Sequence, residues 1–399
     1  MRGGAAAARA RVATLVGVTS TQLSVRQIPA ADHVAHLARH SESSFMQLPA
    51  WAGVKSEWRA EYLGWFDQQG ALRASVQVLH RPVPVLKYTL AYLPEGPVAE
   101  WGTLNPSDVM APMLAHFKTR RVFLVRMGLP VITRSWAAAA VRKALSAGGH
   151  SLMTELDPLH TDDRATALAD QLRELGWTKQ EVSEDFNTGQ PEFVARIPLV
   201  GADGQALDID GVLGQMNQNA RRETRKAASG PLEVQVGGIE DIGRFHALYR
   251  QTAERDDFTG RPVGYFTTMM QALNAHAPGT CSVYFAVHEG QDLAAAIRVS
   301  RGQGAWYVYG ASSTIERKLF APKALIHRMI ADSLAEGCTF LDHGGVSATL
   351  DKGHHLAGLT LFKTTLGCNV VQELGEWDYP LNKAVTGAFN LYMRLRDRG

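Results

Sequence analysis

The 399-residue sequence predicts an α/β (α+β) fold in two domains, each a mixed sheet flanked by helices. Three observations carry this reading. The chain is too long for one ordinary core and suits two domains of about 150 to 200 residues. Strand-like and helix-like periodicities alternate along it, and no run approaches the ~20 apolar residues of a membrane-spanning helix. From Trp306 to Leu374, strand, helix, strand, glycine loop and strand follow without interruption.

That last unit is the clearest. WYVYGASS (306–313) alternates rings and Val, then ends on Gly-Ala-Ser-Ser, the pattern of a half-buried strand entering a turn. From Pro322, the residues Leu325, Ile326, Met329, Ile330 and Leu334 recur at spacings of three and four, with Pro in the first turn and Gly337 at the stop. A helix is expected there. CTFLDHGGV (338–346) reads as a short buried strand, and LTLFKTTLGCNVVQEL (359–374) as another, which puts Lys363 on an inner strand beside core residues Leu361 and Phe362.

Composition narrows the class. Hydrophobic residues are 45% and charged residues 20%, ordinary values for a soluble globular chain. The net charge of +2 excludes a global basic field, so any nucleic-acid contact must use a local patch. Cys281, Cys338 and Cys368 are odd in number and widely spaced, without a CxxC pair or a histidine at zinc-ligand spacing, which predicts a reduced cytoplasmic protein without a metal. Residues 1–24, rich in Ala, Arg and Gly, lack a convincing signal-peptide pattern and read as a disordered tail.

Residues 25–198 read as the first domain, completed by 375–399, and residues 199–374 as the second. The first opens on a polar helix and reaches SSFMQLPAWAGVK, where Phe45, Trp51 and Val54 are apolar anchors beside Lys55. Two strands follow, ALRASVQVLHRPV and LKYTLAYLPEGPV, the second ending in a Pro/Gly turn at 94–97. DVMAPMLAHFKTR is a helix and RVFLVRMGLPVI a buried strand; Asp157 falls in a later loop as a turn or cap residue. In the second domain Arg221, Arg222, Arg225 and Lys226 lie along one helical face, and a three-strand meander over 281–311 turns at Glu289-Gly290 and Gly302 to Gly304. The segment from Trp377 onward should fold back as a helix on the first domain.

Several of these pieces together resemble the Fem peptidyltransferases (FemABX type). They are YVYGASS, the Pro322-Lys323-Ala324-Leu325 helix start, the DHGGV strand end, and Phe362-Lys363 followed by Leu366-Gly367. Their order and spacing are more specific than any one of them. The resemblance is to the compact members, without a helical arm. It implies two tandem GNAT-like (acyl-CoA N-acyltransferase-like) domains and transfer of an amino acid from aminoacyl-tRNA to the stem-peptide amine of a peptidoglycan precursor, either lipid II or the nucleotide-linked muramyl pentapeptide. It further implies a monomer that needs no cofactor and works in the cytoplasm, in part at the inner membrane face.

The same resemblance assigns residues. The Gln-x-Pro-x-Trp-x-x-x-Lys pattern ends on Lys55, which implies a contact to the precursor's diphosphate. Phe-x-x-Arg-x-x-x-Tyr gives Arg261 and Tyr265 as substrate-binding groups, with Tyr309 facing the same channel. The Asn-x-Arg-x-x-x-Arg-Lys-Ala segment makes Arg221, Arg222, Arg225 and Lys226 a phosphate contact for tRNA or precursor. Lys363, following Phe362, becomes the cation at the developing oxyanion. Relatives often carry an acidic residue at the end of the RVFLVRMGLP strand, where this chain has Gly128.

Other functions fit less well. An acetyl-CoA enzyme of the same fold needs a glycine turn for pyrophosphate, and STIERKLFAPKALI has no glycine. Fem-like enzymes of peptide-antibiotic pathways or glycopeptide resistance would share the chemistry and differ in acceptor. A non-catalytic tRNA-binding module would not need Lys55, Arg261 and Lys363 together.

Overall fold

The structure, a computed structural model, describes residues 22–83, 87–180 and 189–396. Most of the expected N-terminal tail lies outside the described residues. Its end does not behave as a tail, because Leu23 is buried and Ser24 opens the first strand.

In chain order the strands are β1 (Ser24–Gln27), β2 (Arg59–Phe66), β3 (Leu72–Pro82), β4 (Thr89–Leu93), β5 (Val98–Ala99), β6 (Val122–Trp136), β7 (His160–Thr161), β8 (Thr178–Lys179), β9 (Phe193–Pro198), β10 (Glu233–Gly237), β11 (Cys281–His288), β12 (Gln291–Arg301), β13 (Gly304–Ser312), β14 (Phe340–Gly345) and β15 (Asn369–Pro380). The helices are α1 (Ala30–Leu37), α2 (Pro49–Val54), α3 (Pro106–Lys118), α4 (Ala138–Ala147), α5 (Asp163–Glu174), α6 (Ile209–Gly214), α7 (Gln218–Ala228), α8 (Ile242–Arg255), α9 (Val263–His276), α10 (Ala321–Ala335), α11 (Ala357–Thr365) and α12 (Lys383–Arg396).

Among the described residues the strands form one sheet, ordered β1-β2-β3-β4-β6-β15-β9-β14-β13-β12-β11-β10, with β5, β7 and β8 as short additions. Two pairs are parallel, β4 with β6 and β13 with β14, and each is joined through a helix, α3 or α10. A parallel pair requires such a crossover, so each half repeats one strand-helix-strand plan, the tandem GNAT-like arrangement expected. Strand β15 lies antiparallel between β6 and β9 and makes the two half-sheets continuous. In the second half, α10 covers one face with Leu325, Ile326, Met329 and Ile330, while α8 and α9 cover the other with Phe245, Leu248, Phe266 and Met270. Helix α12 packs on the first half, with the Phe389 and Phe123 ring centroids 5.3 Å apart.

Three expectations are corrected. Residues 359–374 are not one strand: α11 ends at Thr365 and β15 begins at Asn369. The buried positions Thr360, Lys363 and Thr364 have helical spacing, whereas Leu361 and Phe362 are each 41% exposed and are not core. Gly367, at φ +83°, ends the helix with bonds from Gly367 N to Thr364 O (3.1 Å) and Cys368 N to Lys363 O (3.3 Å), a Schellman motif. Second, Trp377 to Pro380 belong to β15, so the terminal helix starts only at Lys383. Third, Gly128 does not end its strand; β6 runs on to Trp136, and Gly128 pairs with Glu376 of β15. Strand β2 was not expected, although RAEYLGWF alternates and sends Leu63 and Trp65 into the core.

Candidate functional site

Lys55 sits just past the last turn of α2, a helix started by Pro49 and anchored by buried Trp51 and Val54. Its Nζ lies 5.7 Å from the centre of the Trp51 ring and 5.5 Å from that of Tyr265. The Arg261 guanidinium lies 5.1 Å from the same Tyr265 ring, and the Tyr309 hydroxyl donates to the Tyr265 hydroxyl at 3.3 Å. Lys55, Arg261, Tyr265 and Tyr309 therefore converge from α2, the α8–α9 loop, α9 and β13. Burial, then the charge of Arg261, lowers the Lys55 ammonium from its ordinary range. Two cations held over one ring concentrate positive charge in this cleft. Phe266 packs edge-on against both Tyr249 and Tyr309, with centroids 5.0 Å apart in each case, and fixes the wall.

A second cluster surrounds a cavity of about 810 Å³. It arises where the parallel pair splits. Pairing of β13 with β14 runs from Gly304↔Phe340 to Trp306↔Asp342 and then stops, although β13 continues to Ser312. The opened wedge is lined by Tyr307 and Val308 of β13, His343 of β14, Ile326 of α10, and Phe362 and Lys363 of α11. Thr252 and Arg255 of α8, on the opposite face of the sheet, line it too. The cavity thus borders elements packed on both faces of the sheet.

A bulge controls which ring faces which side. Arg298 of β12 pairs with Tyr307 and Ile297 with Tyr309, leaving Val308 as an extra residue. Tyr307 and Tyr309, two positions apart, consequently face opposite sides: Tyr307 packs with the α10 core and Tyr309 with the α8–α9 core. Tyr309 joins the Lys55 cluster, and Tyr307 lines the cavity.

Lys363 projects from the buried side of α11, and its Nζ donates to the Gly345 carbonyl at 2.7 Å. Burial lowers this ammonium to about 8 against the opposing effects of Cys368 and Asp342. An ammonium has three donors, so two remain for the cavity. Phe362, beside it, is an exposed aromatic wall of the same space.

The basic face of α7 is adjacent to the cavity and not within it. Lys226 Nζ is 5.7 Å from the ring centre of Phe320, a cavity residue, while Arg225 bonds Asp210 at 2.7 Å. Arg222 is exposed and Arg221 half-buried. Sequence reasoning missed Arg255, Arg317, Lys323, Tyr307 and His343, all of which line the cavity. Tyr307, Lys323 and His343 lie in the YVYGASS, Pro-Lys-Ala-Leu and DHGGV stretches, but nothing in those stretches singled them out. Asp157 is exposed in the loop between α4 and α5.

A buried ionic group joins the halves. Arg196 of β9 donates to Asp342 Oδ2 (2.8 Å) and Glu373 Oε1 (2.6 Å). Glu95, in the turn after β4, is raised well above the usual carboxylate range by burial and by the charge of Glu373. A Cβ at Gly128 would lie 3.5 Å from Glu376 Cγ and 3.7 Å from Glu95 N. The Glu376 side chain, from the neighbouring strand β15, therefore borders the place where Gly128 offers no carboxylate.

The FemAB family profile matches residues 28–278 and 283–394. The chain belongs to the FemAB family. Among its relatives, this FemAB protein is 22% identical over 437 residues to the lipid II:glycine glycyltransferase of Staphylococcus epidermidis, covering 92% of this chain and 94% of that one. The lipid II:glycine glycyltransferase of Staphylococcus aureus is 22% identical over 428 residues, with 88% and 91% covered. The crystal structure of FemX matches the FemAB protein's fold with a TM-score of 0.75 at 20% identity, covering 92% of this chain and 99% of that one.

Proposed function

We propose that this chain transfers an amino acid from aminoacyl-tRNA to the stem-peptide amine of a peptidoglycan precursor, building an interpeptide bridge. The observation that carries this reading is the cavity at the β13–β14 split, with Lys363 on its wall. An amine and an ester entering the cavity can meet there. The relatives' names support a lipid II acceptor and an aminoacyl product.

The amine nitrogen attacks the ester carbonyl carbon, forming the N–C bond while the carbonyl oxygen gains negative charge. The two free donors of Lys363 stabilise that charge, and burial of the lysine strengthens their effect. The nitrogen, positively charged once bonded to the carbon, loses a proton to the medium; the C–O bond then breaks and the tRNA ribose oxygen leaves, taking a proton. Lys55 and Arg261 hold the precursor's diphosphate, and the two tyrosines form the wall beside it. Lys226, at the cavity rim, contacts a phosphate of the tRNA end, and Arg221, Arg222 and Arg225 extend that basic surface. No described helix is long and apolar enough to cross a membrane.

The test offers the purified protein a pool of charged tRNAs with lipid II or with the nucleotide-linked pentapeptide, and reads product mass. Transfer abolished by ribonuclease is expected. Undiminished product after complete tRNA digestion removes the proposal.

A further inference from the structure

Helix α12 shows an apolar face to the outside. Val385, Thr386 and Phe389 turn inward, where Phe389 meets Phe123 and the Thr386 hydroxyl donates to the Phe123 carbonyl at 3.2 Å. On the opposite side Ala384, Gly387, Ala388, Leu391 and Leu395 follow one another at helical spacing and are all exposed. Leu391 is 59% exposed, and Tyr392 and Leu395 are each 62% exposed, so the last turns carry a patch and not a scattered apolar residue. The helix contains no acidic residue.

Cations gather at its other end. Lys383 opens the helix, and Asn382 beside it donates to the Tyr88 hydroxyl at 3.3 Å, next to Lys87. The Leu381 amide donates to the Phe123 carbonyl at 2.9 Å, two residues beyond Arg121. Lys87, Arg121 and Lys383 are exposed, as is Arg81, and none of the four has an ion pair among the described residues. The same surface continues to the Lys55 cleft. Trp58 packs in one cluster with Tyr88, Val385 and Phe389, its ring centre lies 5.5 Å from the Arg81 guanidinium, and its amide donates to the Lys55 carbonyl at 2.8 Å.

We propose that the outer face of α12, with the cations around its start, docks on an anionic lipid bilayer and lays Leu391, Tyr392 and Leu395 into the headgroup boundary. In the lipid-linked acceptor of the reading above, on which this docking rests, a diphosphate joins the sugar to the lipid. A diphosphate held at Lys55 and Arg261 has its lipid chain only a few bonds away, so the protein surface beside that cleft meets the bilayer. A helix with an apolar face and flanking cations binds in the plane of the interface, where apolar burial and attraction to anionic headgroups add. RNA would use the cations and leave the apolar patch idle. A second copy of this chain, meeting the same face across a two-fold axis, would bring like charges together.

The experiment sediments the purified protein, without tRNA or precursor, with vesicles of phosphatidylcholine alone or with phosphatidylglycerol added. The parent should pellet with the anionic vesicles, less so as salt is raised, and far less with the neutral ones. Equal binding to both kinds, or binding to neither, overturns the proposal. Leu391→Ser combined with Leu395→Ser should weaken partitioning roughly 10- to 100-fold, and Lys87→Glu combined with Lys383→Glu should remove the preference for anionic vesicles. All four positions are exposed, so thermal melts should match the parent's. Parent-like vesicle binding in either double variant overturns the proposal, and charge variants that keep vesicles but lose tRNA give these cations to RNA. A parent that is dimeric by light scattering, and made monomeric by the two serines, gives the face to a second copy and overturns it as well. Transfer is read separately: a parent that binds anionic vesicles but transfers nothing from charged tRNA loses the aminoacyl-transfer reading and keeps this surface, while one that transfers and stays off the vesicles loses this surface alone.

Discussion

Lys363 Nζ donates a 2.7 Å hydrogen bond to the carbonyl of Gly345, tying the buried side of α11 to the end of β14 at the point where the sheet has opened. The bond fixes the ammonium beside the cavity before any substrate arrives.

Removing that charge should act on the chemical step. A donor aimed at a developing oxyanion contributes roughly 2.7 to 4 kcal/mol, so Lys363→Met should lower kcat by about 10² to 10³ while precursor affinity changes little. The charge is lost as pH rises through about 8, so kcat in the parent should fall above that point. Stability has its own window. Below about 8 both folded and unfolded chains hold the proton and the burial cost is fully present; between about 8 and 10.5 only the unfolded chain keeps it, so stability rises with pH across that range. Lys363→Met should lack this contribution, so the difference in stability between parent and variant should change across that range. Turnover within a few-fold of the parent, in a folded variant, removes the oxyanion role.

Lys55 and Arg261 are assigned to ground-state capture of an anion, so their loss should appear in binding. Pyrophosphate should raise the melting temperature of the parent, and Lys55→Ala or Arg261→Ala should weaken the precursor's affinity by roughly 10- to 100-fold, the loss of one hydrogen bond to a charged group. Parent-like binding in both variants would mean that the anion site lies elsewhere.

Glu95 predicts a pH dependence of the opposite sense. Its carboxyl is raised above the ordinary 4.5 by burial and by Glu373, so the folded chain holds a proton that the unfolded chain gives up above about 4.5. The stability this confers is fully present below 4.5 and is lost as pH rises through the folded value. Melts at about pH 5 and pH 8 should show a larger fall in the parent than in Glu95→Gln. Parallel falls would show that Glu95 ionises normally.

The alternating α/β plan and the strand-helix-strand unit at 306–346 were legible because Gly and Pro punctuate elements that are strongly periodic. Lys55, Arg261, Tyr265 and Tyr309 were legible only through the spacing of family-like patterns, and the structure brings them together. Lys363 was found by the same route but placed on the wrong element. Its neighbours Leu361 and Phe362 are apolar yet exposed, so hydrophobicity pointed to a strand where burial follows a helix. His343 and Tyr307 could not be read, because their pairing depends on where two strands part and on a bulge at Val308. Neither feature leaves a local signature in composition.

Strand β15 has a consequence for how the chain is made. It fills the space between β6 and β9, yet it is synthesised long after both. A growing chain on the ribosome therefore carries two rows of unpaired backbone N–H and C=O groups from the completion of Pro198 until residues 369–380 emerge. During that interval the central edges are open to pairing with any other extended chain, and productive closure competes with aggregation. A stalled or truncated product lacking β15 should be prone to clump, even though most of its residues have already been translated.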